Sequence, residues 1–61
     1  MFVVFNATDG ILADPREFKT KAEALAFMRD FPKRFALQGY YKTAAGERIS
    51  PADVQLDVEE V

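Results

Sequence analysis

The sequence predicts an α+β domain: a small antiparallel sheet of about 4–5 short strands, with one helix packed on one face and elements in the order β-β-α-β-β-β. Three observations lead there. Phe2-Val3-Val4-Phe5 is a dense run of strand formers. Behind Thr20, apolar residues recur at three- and four-residue spacing as far as Phe31. Residues 54–59 alternate apolar and polar without a break.

The first strand is apolar at both parities, Phe2 and Val4 against Val3 and Phe5, which predicts a central strand covered on both sides. Asn6-Ala7-Thr8-Asp9-Gly10 is turn chemistry, with Asp9-Gly10 tolerant of positive φ. Ile11-Leu12-Ala13 is then a short return strand, broken by Asp14-Pro15.

Thr20 and Glu23 have the spacing of a capping box. Ala24, Phe27, Met28 and Phe31 form the apolar stripe and Leu25 widens it, while Glu23, Arg29 and Asp30 lie opposite. Pro32 disfavours helical geometry at Phe31 and ends the helix there.

Residues 33–39 read either as a loop or as the lead-in to a strand. Tyr40-Tyr41-Lys42-Thr43 and Glu47-Arg48-Ile49 form a hairpin around Ala44-Ala45-Gly46. Ser50-Pro51-Ala52-Asp53 is one helical turn with Ser50 as its cap. Val54, Leu56 and Val58 face the core, Gln55, Asp57 and Glu59 face water, and Glu60 and Val61 form a frayed tail. The first and last strands are expected to be neighbours, because one helix covers only a narrow sheet.

With 61 residues the chain supports a single domain spanning 1–61. A core of this size supplies on the order of 3–5 kcal/mol. The apolar share is 49%, with six Phe, so real folding is expected with apolar surface to spare. No leader is visible and no apolar run approaches a membrane span. Beginning at Met1 without a tag, the chain reads as a complete small gene product of the cytoplasm, with no membrane association.

The composition excludes much chemistry. Cys and His are both absent, so neither a disulfide, a thiolate metal site nor a nucleophile–imidazole pair can be built. Ser50, before Pro51, is explained as a cap, and Asp57 with Glu59 as a solvated strand face. Gly10, Gly39 and Gly46 are too scattered for a phosphate loop. The expectation is no enzyme, no cofactor and no metal.

The formal net charge of -2 argues against a dedicated nucleic-acid binder. Charge is nonetheless uneven. Residues 16–48 hold all 8 basic residues and only Glu17, Glu23, Asp30 and Glu47 as acids, a balance of +4. In residues 33–48, basic side chains are interleaved with Phe35, Tyr40 and Tyr41, so single-stranded nucleic acid is the alternative partner. Two points oppose it: an acidic last strand expected in the same sheet, and the need for one tyrosine to point inward.

The favoured reading is a small protein-binding module, accessory or regulatory, that captures a protein partner or forms a homodimer. Its expected contact residues are Arg34, Tyr40, Tyr41, Lys42 and Arg48, since Arg and aromatic side chains dominate interface energetics. If the helix covers one sheet face, the opposite face is left apolar unless residues 11–18 wrap over it, and such patches mark interfaces.

Residues 39–49 (Gly-Tyr-Tyr-Lys-Thr through Gly-Glu-Arg-Ile), followed by Ser50-Pro51 and the acidic strand, resemble short bacterial and phage proteins. That resemblance covers the last third of the chain and implies no activity. The helix and hairpins are also similar to small sheet-plus-helix DNA-binding domains, from which the acidic last strand departs.

Overall fold

The computed structural model describes residues 1–61. Five strands form two antiparallel sheets around one helix. Strands β1 (Phe2–Asn6), β2 (Ile11–Leu12) and β5 (Leu56–Glu60) make a three-stranded sheet in the order β2-β1-β5. Strands β3 (Tyr41–Lys42) and β4 (Arg48–Ile49) make a separate two-stranded sheet. The element order is the expected one, but the strands divide between two sheets instead of sharing one.

β1 is central, as its two apolar parities required. Val3, Val4 and Asn6 are buried, and Val4 is fully enclosed. β5 pairs along the whole of β1, from Phe2 opposite Glu60 to Asn6 opposite Leu56. Pairing extends past both ends, through Val61 N–H to Met1 O (2.9 Å) and Ala7 N–H to Gln55 O (2.8 Å). The expected frayed tail is therefore held in the ladder: Glu60 belongs to β5 and Val61 is hydrogen-bonded. Val54 is buried just before the strand begins.

At the first turn only Gly10 has positive φ, at 72°; Asp9 does not. Residues 11–18 do not wrap over the sheet. They run along the far edge of β1, first as β2 and then, after residues 14–17 bulge out, through paired hydrogen bonds between Phe18 and Phe2 (2.7 and 2.8 Å). Phe18 thereby enters the core with Val4 and Ala24, packed by Phe2, Ala13, Phe27, Met28, Leu56 and Val58.

Helix α1 spans Lys21–Asp30. Thr20 Oγ1 accepts from the Glu23 N–H at 3.2 Å, one half of the capping box. Ala24 is completely buried, and Phe27 and Met28 are half-buried. Leu25 stays 45% exposed and does not widen the packed stripe.

The α-helix ends at Asp30 with Phe31 as its C-cap, as Pro32 predicts, but helical geometry does not stop there. A 3-10 helix follows directly over Phe31–Phe35, with Pro32 in its first turn, where a missing N–H costs little. Residues 33–35 are therefore helical, neither loop nor strand. This turn carries Phe31 off the sheet, into contact with Phe35 and Tyr41 (ring centroids 5.3 and 6.1 Å). A second 3-10 turn covers Pro51–Asp53. Ser50 stands at its cap position, but its side chain makes no capping hydrogen bond. The turn closes instead through Asp53 N–H to Ser50 O (2.9 Å).

Alternation along the ladder places Met1, Val3, Phe5 and Leu12 on the sheet face away from the helix, beside Asp57, Glu59 and Val61. Met1, Leu12 and Val61 are among the exposed large apolar residues. No helix is long and apolar enough to cross a membrane.

Candidate protein-binding face

The hairpin of β3 and β4 sorts the expected contact residues by side. Tyr41 pairs with Ile49, and Lys42 with Arg48. Neighbours on a strand alternate, so Tyr41 and Lys42 lie on opposite sides.

Tyr41 points inward. Its ring packs edge-on to Phe35 (5.1 Å) and lies 6.1 Å from Phe31. Its hydroxyl donates to the Asp9 carboxylate and accepts from Asn6 Nδ2 at 3.0 Å. Asn6 is 2% exposed, and its other amide atom is also satisfied, since Oδ1 accepts the Asp9 N–H at 3.1 Å. Asp9 in turn takes the Ala44 N–H at 2.9 Å. These bonds fasten the hairpin to the turn between β1 and β2.

The same bonds change how tightly the two groups hold their protons. The Ala44 N–H, and next the Tyr41 hydroxyl, hold the Asp9 carboxyl below the ordinary carboxylate range. Burial, reinforced by the Asp9 bond, pushes the Tyr41 phenol up.

Tyr40, Lys42 and Arg48 are on the outer side. The Arg48 guanidinium sits over the Tyr40 ring at 4.6 Å. Neither Arg48 nor Lys42 has a carboxylate within salt-bridge distance; the ion pairs are Arg16–Asp14 and Lys33–Asp30. A guanidinium over a ring keeps its in-plane N–H donors for other groups.

Arg34 is brought to a different place. It projects from the first 3-10 helix over Phe27 (4.6 Å) and Phe31 (5.8 Å). Arg16 lies over the same Phe27 ring (5.8 Å) and over Phe18 (5.3 Å), held by a bond to Asp14 (2.9 Å). Leu37, in the turn that follows, is fully exposed. The five expected residues thus separate into an outer hairpin face (Tyr40, Lys42, Arg48), a stacked Arg34 and an internal Tyr41.

Sequence reasoning missed Asn6 and Asp9, which it assigned to turn formation alone. A signal was present: Asn6 follows Phe2 and Val4 at core parity, and a buried amide needs partners. The depression beside this tether, about 280 Å³ and lined by Thr8, Asp9, Thr43, Ala44, Ala45 and Glu47, is open to solvent.

No known family model matches the chain, and no curated protein or solved structure resembles it significantly.

Proposed function

We propose that this protein is a small non-catalytic binding module, accessory or regulatory in role, that captures a protein partner on the outer face of its second hairpin. The observation that carries this reading is Arg48, stacked on Tyr40 at 4.6 Å with Lys42 opposite it and no carboxylate paired to either. Stacking pre-orders the guanidinium, so less side-chain entropy is lost on binding. An acidic segment of a partner protein fits that chemistry.

A single nucleic-acid strand is the second reading. Separation of the hairpin from the acidic β5 strand supports it, since the two do not share a sheet. The state of the rings favours protein. Arg48 covers Tyr40, Arg34 and Arg16 cover Phe27, and Tyr41 packs against Phe35, so few aromatic faces are left for bases.

The test is affinity capture by wild type and by Tyr40→Ala and Arg48→Ala, each checked for native circular dichroism. A protein retained by wild type and lost by both folded variants is expected. Unchanged capture by both variants would remove the hairpin face. Tight, salt-sensitive binding of a labelled oligonucleotide, with no protein retained, would replace this reading with the second. Light scattering over a dilution series shows whether the retained partner is a second copy.

A further inference from the structure

The three-stranded sheet ends on one side at β5. The hydrogen bonds from Val61 to Met1 and from Ala7 to Gln55, with the register of Val3 opposite Glu59 and Phe5 opposite Asp57, show which residues of β5 bond β1: the odd-numbered ones. An antiparallel ladder alternates, so the N–H and C=O groups of Leu56, Val58 and Glu60 point away from β1. Such a row is a template for another strand. The opposite edge offers no equivalent, because β2 has 2 residues and residues 14–17 bulge out beyond it.

The side chains of β5 select what adds to it. Asp57 and Glu59 share one sheet face, and Leu56 and Val58 share the other, half-buried beside the helix. Asp57, Glu59 and Glu60 are exposed and have no basic partner within salt-bridge distance. Pairing β5 with β5 of a second copy would set these carboxylates about 5 Å apart across the new ladder, a like-charge arrangement that opposes pairing. Charge therefore guards the edge against its own kind and favours the opposite pattern.

We propose that the free edge of β5 takes up, by strand addition, an extended segment of a partner protein in which Lys or Arg alternates with β-branched apolar residues. Basic residues of the added strand lie beside Asp57 and Glu59, and apolar ones beside Leu56 and Val58. This surface is separate from the outer face of the hairpin and stands or falls independently of it.

The probe is a labelled peptide alternating lysine and valine, titrated at physiological salt against the whole protein. Its control is a peptide of the same composition with the lysines in one block. The alternating peptide is expected to bind at least about tenfold more tightly, since only it can use backbone and side chains together. Amide exchange of Leu56, Val58 and Glu60 slows on binding, while Asp57 and Glu59, already bonded to β1, change little. Glu60→Pro deletes an outward N–H and leaves the β1 ladder intact, because the residue before a proline stays extended. It is expected to weaken binding about tenfold, and Glu60→Gln, which keeps that N–H, by only about twofold. Equal binding of the two peptides overturns the proposal. So does equal weakening by the two Glu60 variants, which would reduce the effect to charge.

Discussion

The two sheets of this molecule are built on different principles. The β2-β1-β5 sheet is held by long backbone pairing and by burial: β5 follows β1 along its whole length, and Val4, Phe18 and Ala24 close the core beneath α1. The β3–β4 hairpin has two residue pairs, too few for independent stability. It is held by side chains instead, through Phe31 and Phe35 against Tyr41 and through Asn6 and Asp9 at the Tyr41 hydroxyl. The lesson is that a short hairpin can be fixed in place by one aromatic residue, provided its polar tip meets a buried partner. The two regions should therefore fail differently.

The largest effect is expected in the sheet. Val4→Ala leaves a cavity under α1 and should cost about 2 kcal/mol. In so small a domain the loss should be global, with one denaturation transition seen by both circular dichroism and tyrosine fluorescence. A hairpin that melted first in this variant would break the contrast.

A smaller and local effect is expected in the hairpin. Tyr41→Phe keeps the ring among Phe31 and Phe35 but leaves Asn6 Nδ2 without its acceptor, at a cost of about 1–2 kcal/mol. The amide of Thr43, bonded to Glu47 O at 2.8 Å, should exchange faster while amides of β1 stay protected. Uniform acceleration of both would mean the two regions unfold as one.

The smallest effect is a pH dependence confined to the hairpin. Asp9 has a depressed folded-state pKa, so it contributes stability above the ordinary carboxylate value of 3.8. That contribution is lost as pH falls from there through the lower folded value. Thr43 and Ala44 amide shifts should titrate in that window, and Asp9→Asn should abolish the step. Asp14 is also depressed, by its bonds to Arg16, but it lies in the bulge beside β1 and reports there.

Much of this architecture could be read from local signals. The strand run at Phe2–Asn6, the capped helix, the glycine turns and the alternation after Val54 each arise from neighbours in sequence. The candidate site was only half legible. Tyr40 and Tyr41 are chemically alike, and nothing local says which turns inward. Pro32 marks the end of the α-helix, as its sequence position says, but its fixed φ also suits the 3-10 turn that follows, which the contacts of Phe31 and Phe35 favour. Asn6 looked like a turn residue because its partner is supplied from a distant part of the chain.

The strands, the α-helix and their order, a central first strand and a chemistry without imidazole or thiol thus follow from the amino-acid sequence alone. These depend on backbone preference, side-chain period and composition, which are short-range or global properties. Only the tertiary structure decided that the strands split into two sheets, that Tyr41 is a tether while Tyr40 carries Arg48, and that β5 keeps an open edge. Those outcomes turn on long-range register: where β1 ends against β5 fixes Asn6 and Asp9 in space, and their side-chain donor and acceptors meet the tyrosine that can reach them.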